Sequence, residues 1–271
     1  MTVRINVVVW LHRTALAFFV LCGACFAGAP PLAGNNLDEL LARTNTQVAG
    51  FLDQFSEVKC TEHVEQEKLG KDGKVELKEE STYDYLVILT NPGGELSLDE
   101  SRLAVHEAKR DKKNRPLLVS NGFATLFLVF HPYYAQSFKF SLLPDDTLDG
   151  QRFSKVSFEH IPGTRSPAAL ALRGREYPLE LSGTAWIDPQ TGVIAKIVAG
   201  ISNSLEDVGL KSLQSEVKFA PDPFHGLKEP HWFPVVASVE VETPRQHWRN
   251  THRFTDYKRF SVSTEEQVAT K

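Results

Sequence analysis

The stretch LSGTAWIDPQTGVIAKIVAGI, residues 181–201, reads as two strands around a tight turn. In Asp188-Pro189-Gln190-Thr191-Gly192 the aspartate suits the first turn position and proline presets φ at the second. Glycine takes the left-handed position that closes the loop. Trp186 falls two residues before Asp188, on the same strand face, and Val193, Ala195 and Ile197 alternate on the return. Every residue here has a folding role, so Asp188 reads as an Asx-turn acceptor rather than a catalytic acid.

The rest of the chain repeats this grammar. Turn signals recur at intervals of about 8 to 15 residues with no alternation of strand and helix, which predicts an antiparallel sheet. SFKFSLLP, QRFSKVSFEHIP, GLKSLQSEVKFAP, FPVVASVEVET and HWRNTHRFTDYKRFSV all read as strands. VKCTEHVEQEKLGKDGKVELKEESTYDYLVILT is a long hairpin turning at Lys71-Asp72-Gly73. Its outer half carries charge on both faces, which also guards a sheet edge against aggregation. Residues 91–117 read as a solvated turn between short strands.

Two helices interrupt the strands. Asn36 is a capping residue, and Leu37, Leu40, Leu41, Val48, Phe51, Leu52 and Phe55 then recur at helical spacing, predicting a helix over about 37–56. PLLVSNGFATLFLVFHPYY predicts a short apolar helix, with Leu118, Phe123, Phe127 and Phe130 on one face and Pro132 stopping it. The fold class is therefore α+β and β-rich. It is a single curved antiparallel sheet, an incomplete barrel of about 10–11 strands, with both helices covering its concave face.

SGTAWIDPQTGVIAKI, followed by EVKFAP, HWFPVVASVEVE and RFTDYKRFSV, resembles the periplasmic lipoprotein-carrier superfamily, the LolA- and LolB-like sorting proteins and their relatives. The resemblance covers about residues 37–262, and its motifs are structural. It implies a half-barrel closed by helices around an apolar cavity that accepts an acyl chain or a lipoprotein's lipid anchor. Residues 91–117 and 160–180 fall outside the shared pattern. The aromatic and aliphatic residues expected on the inner faces are Tyr83, Tyr85, Val87, Phe123, Phe127, Phe138, Phe140, Phe158, Trp186, Val239 and Phe254. The alternative is a structural or interaction protein of the envelope, its half-barrel packed solid by these same residues.

Signatures of catalysis are thin. The sequence has no G-x-S-x-G, H-E-x-x-H, P-loop or dinucleotide fingerprint. His247 and His252 are spaced to face opposite sides of a strand, which argues against a shared metal. Asp145, Asp146 and Asp149 with Gly150 read as a turn between strands. Cys60, in EVKCTEHVEQEK, has acids close by and reads as structural. A noncatalytic protein with neither cofactor nor metal is expected.

MTVRINVVVWLHR leads into the apolar run TALAFFVLCGACFA and then small residues, the order of a secretory leader over residues 1–29. Residues 30–271 form one domain, exported across the inner membrane to the periplasm. A tether to the membrane follows only if Cys25 is lipidated, and Cys22 stands where a lipoprotein signal has Leu. The chain holds 30 basic and 34 acidic residues; losing Arg4 and Arg13 leaves 28 against 34, a net charge of −6. That balance excludes a nucleic-acid partner. The partners expected are a lipid or an acylated lipoprotein, with contact to a membrane surface. Intact mass of the protein from its native host should place the mature N-terminus between Gly28 and Leu32, unacylated. A mass for lipid-bearing Cys25 would refute this.

Overall fold

The computed structural model describes residues 36–90, 96–106, 123–172, 175–222 and 231–259. Among them one antiparallel sheet of ten strands dominates. Its strands are β1 (Val58–Leu69), β2 (Val75–Thr90), β3 (Ser97–His106), β4 (Phe138–Leu148), β5 (Gln151–His160), β8 (Leu181–Ile187), β9 (Ile194–Ile201), β10 (Ser212–Asp222), β11 (His231–Glu242) and β12 (His247–Arg259). The spatial order is β3-β2-β1-β12-β11-β10-β9-β8-β5-β4, so β3 and β4 are edges and the barrel stays open. A second small sheet pairs β6 (Ala169–Leu172) with β7 (Arg175–Pro178), inside the segment that lies outside the resemblance.

Two expectations change. Residues 97–106 are a full edge strand rather than part of a solvated turn, while 107–117 lie outside the described residues. The apolar segment folds as a 3₁₀ helix, Phe123–Phe130, that ends before Pro132 as expected, but Pro132 also opens the next helix, α2 (Pro132–Ala135). His131 caps α2, its Nδ1 accepting the Tyr133 amide at 3.2 Å. Proline suits that first helical position because the N–H it lacks has no partner there. Leu126 to Phe130 are all buried, so the segment is covered all round.

Helix α1 (Leu37–Phe55) forms as read, with Asn36 Oδ1 accepting the Asp38 amide at 3.1 Å. Its buried stripe, Leu40, Thr44, Val48, Leu52 and Phe55, lies on the inner face of the sheet. Thr44 belongs there because its hydroxyl donates to the Leu40 carbonyl at 2.9 Å. At the β8–β9 turn Gly192 has φ +78°, and a Cβ on it would stand 2.8 Å from the Arg43 carbonyl carbon and the Thr44 nitrogen. The glycine is needed twice, for its conformation and for close approach of the helix.

Farther along the inner face, strands β1, β2, β3 and β12 bury charge. Glu62 is fully buried and accepts two bonds from Arg102, at 2.5 and 2.9 Å, and one from His252 Nδ1 at 2.8 Å. Arg102 Nη1 also lies 2.9 Å from Glu100, and the guanidinium sits 5.0 Å above the Tyr85 ring. Burial pushes the Glu62 carboxyl up, but the bonds from His252 and Arg102 outweigh it and hold the group below its usual range. Burial, then the charge of Glu100, lifts the Tyr85 phenol well above its ordinary value.

Gly192→Val should destabilise the fold by more than about 1 kcal/mol, since a β-branched residue resists positive φ and here meets helix backbone. Asp188→Asn should shift stability by less than about 0.5 kcal/mol, because Asn makes the same turn bonds. Chemical denaturation reads both. Because the Glu62 pKa is lowered on folding, its stabilisation is present above the ordinary carboxylate pKa and lost as pH falls through the lowered value. Glu62→Gln should therefore cost about 1–3 kcal/mol at neutral pH, because it leaves Glu100 as the carboxylate opposing Arg102. It should also flatten the acid limb of a stability–pH curve; an unchanged limb would contradict the assignment.

Candidate functional site

A cavity of about 440 Å³ opens between α1, the tip of the β8–β9 hairpin and the adjoining ends of β10 and β11. The opening stretch of sequence therefore frames a mouth as well as making a turn. Helix α1 contributes Gln47, Val48, Gly50, Phe51 and Gln54, and the 3₁₀ helix contributes Phe127. The hairpin contributes Asp188, Thr191, Gly192, Val193 and Ile194, with Phe219 from β10 and Trp232 from β11.

The wall is largely aromatic. Phe51 meets Phe127 edge to face at 4.8 Å, Phe219 at 6.4 Å and Phe233 at 5.6 Å between ring centroids. Such pairs hold one another in place and keep a rigid boundary. A side chain at Gly50 would meet nothing within 4 Å, so glycine leaves that side of the cavity wide. About two turns before Gly50, Arg43 fastens the helix to the hairpin, its Nη2 donating to the Pro189 carbonyl at 3.0 Å.

The polar groups stand at the rim. Asp188 Oδ1 accepts the Gln190 and Thr191 amides, both at 2.8 Å, and Oδ2 accepts the Gln151 side chain at 3.1 Å. The aspartate is the turn acceptor that the sequence indicates. Gln47 and Gln54 are exposed and offer amide donors and acceptors. The arrangement can bury an apolar group and hydrogen-bond whatever remains outside it.

Among the described side chains of the residues expected to line the interior, Phe127 alone borders this cavity. Tyr85, Val87, Phe138, Phe158, Val239 and Phe254 are packed core, and Phe140 is half-buried 5.2 Å from Phe130. Tyr83 is half-buried opposite Glu62, and the Phe123 side chain lies outside what is described. Trp186 faces the other way. Ala185 and Ile187 take the inner positions, leaving the indole on the outer face near Lys155 and Lys196, at 5.3 and 4.9 Å. Its N–H donates to Asp146 at 3.1 Å. Asp145 and Asp146 therefore belong to β4, and Asp149 with Gly150, at φ 50° and 84°, makes the turn. His247 and His252 face opposite sides as their spacing requires, His247 reaching Glu240 at 2.7 Å.

Two signals for the missed lining were present. Phe51 stood in the apolar stripe of α1, and Asp188 to Val193 formed the turn nearest that helix in space. Nothing in one-dimensional spacing brings them together.

No protein-family model matches the chain, and no curated protein matches it in sequence. Several solved structures are similar to it, two of them as follows. One, assigned as an outer membrane lipoprotein-sorting protein domain from Vibrio parahaemolyticus, has 10% identity and a TM-score of 0.40, covering 87% of this chain and 95% of that one. The other, a DUF1329 family protein from Desulfovibrio piger, has 11% identity and a TM-score of 0.39, covering 86% and 95%.

Proposed function

We propose that this chain is a noncatalytic protein of the cell envelope that holds an apolar chain, such as a lipid acyl group, in the cavity beneath α1. The leader read in residues 1–29 supports export to the periplasm. The carrying observation is the cavity itself: about 440 Å³, walled by Val48, Phe51, Phe127, Ile194, Phe219 and Trp232, with polar groups confined to the rim. Ligand sites are of this size and this division of polarity.

Its volume limits what fits. A methylene occupies roughly the 30 Å³ of a water in the liquid, so about 440 Å³ corresponds to about 15 carbons and takes one chain of about a dozen with little to spare. At about 0.8 kcal/mol per buried methylene, burial offers about 10 kcal/mol before costs. Association costs at least about 4 kcal/mol of this, which leaves affinities no tighter than about tens of micromolar. A lipoprotein anchor would insert one chain and leave the remainder outside.

Displacement of a fluorescent twelve-carbon fatty-acyl probe tests the reading, and saturable binding with one site per chain is expected. Val193→Phe fills the mouth from a half-buried position and should weaken binding at least tenfold while the protein stays folded. Phe127→Ala should destabilise by about 3–5 kcal/mol, because that ring is fully packed as well as lining. No saturable binding by the folded wild type would leave an envelope protein with a solid half-barrel as the standing reading.

A further inference from the structure

By helix propensity alone Gly50 is out of place. Glycine is the poorest helix former after proline, and Gly50 stands inside a helix that runs on to Phe55 and is capped at Ser56, so it is no terminator. Two ordinary reasons for a glycine do not hold here. Its φ is not positive, unlike that of Gly192. It is exposed, and among the described residues a Cβ on it would meet nothing within 4 Å, so no close approach among them needs it. What distinguishes the position is that it lines the cavity. We infer that Gly50 is a specificity-determining residue: its missing side chain widens the mouth so that the bound chain can carry a head broader than the chain itself, such as the glycerol or sugar of a lipid. This rests on the chain-binding reading above and adds the breadth of the head.

The helix sets where the missing side chain would lie. Gln47, Gly50, Phe51 and Gln54 stand at i, i+3, i+4 and i+7, one face of α1, and all four line the cavity. Gln47 and Gln54 are exposed, while Phe51 is half-buried with its ring against Phe127. The face therefore passes from apolar wall to wet rim, and Gly50 lies between the two glutamines on the rim side. Helical side chains lean toward the helix N-terminus, so any side chain at position 50 would lie toward Gln47 and narrow the mouth. The cavity takes one chain of about a dozen carbons with little to spare, so a head must sit at the mouth, against bare helix backbone. A straight chain is one methylene across and would pass a mouth that carried a side chain at position 50. A broader head would meet that side chain, and glycine removes it at a cost in helix stability.

Calorimetry below micelle formation with octaethylene glycol monododecyl ether and dodecyl maltoside tests this. Both probes are uncharged and share a twelve-carbon tail, but one head is a slender ether strand and the other a disaccharide. The wild type should bind the two within about threefold of each other. Gly50→Leu should weaken the maltoside by about tenfold or more and the ether by less than about threefold. Gly50→Ala removes the helix penalty, so it should raise the melting temperature by about 1–4 °C while weakening the maltoside by a smaller factor than leucine does. A merely structural glycine would show the reverse, a loss of stability with no change in selectivity. A lower melting temperature for Gly50→Ala, or an equal effect of Gly50→Leu on the two probes, overturns the inference about the head and leaves the chain-binding reading standing. Failure of both probes to bind the folded wild type overturns the two together.

Discussion

Helix α1 can lie against the β8–β9 turn because Gly192 has no side chain. With the nearest helix backbone atoms 2.8 Å from where a Cβ would stand, any other residue would lift the helix from the sheet. The approach fixes the helix at one end, and the Arg43 bond to the Pro189 carbonyl locks it. The next turns of α1 then set Val48 and Phe51 above Ile194 and Phe219 with a gap between them. An open sheet must cover its apolar face with something, and here one glycine decides how closely the cover sits.

The inner face divides into two environments. Near α1 and the 3₁₀ helix it is aromatic, built on contacts such as Phe233 stacked on Tyr257 at 4.6 Å. Toward β3 it holds the Glu62–Arg102–His252 cluster instead. A buried carboxylate is tolerable only when its oxygens are hydrogen-bonded and its charge is opposed, and Glu62 has both. Arg102 sits on β3 and Glu62 on β1, with β2 between them, so the cluster ties the edge strand across its neighbour to the sheet interior. Apolar burial holds the cover on one side, and charge pairing holds the edge on the other.

These two halves were unequally legible. Helix α1, the first hairpin and the β8–β9 turn each depend on neighbours in sequence, so Asn36, Gly73 and Gly192 announced them. The antiparallel class followed from turn spacing alone. Trp186 shows the limit: strand alternation has two phases, and the large ring was given the inner phase that small Ala185 and Gly183 occupy. Phe158 explains the choice, since a Cβ on Gly183 would stand 2.6 Å from its ring, so space on that face was already taken. Glu62 looked like one more acid in a charged hairpin. Only its place between β2 and β12, with Arg102 one strand beyond, shows that it is buried, and register across distant strands is not written in local pattern.

The cavity was illegible for a related reason. A core is a set of contacts that composition foretells, whereas a cavity is a set of contacts that fail to form. Phe127 was expected at the ligand site because it is large and apolar, yet those properties equally describe Phe158, which packs solidly. What separates them is position: Phe127 lies beneath α1, where Gly50 offers no side chain to close the gap, while Phe158 lies between Phe130 and Phe138. The cavity lies where α1 meets the sheet, and proteins seldom leave such volume unfilled without cost. Gln47, Gln54 and Asp188 surround that unfilled volume with polar atoms, which are the groups that fix a ligand's orientation once apolar burial has supplied its affinity.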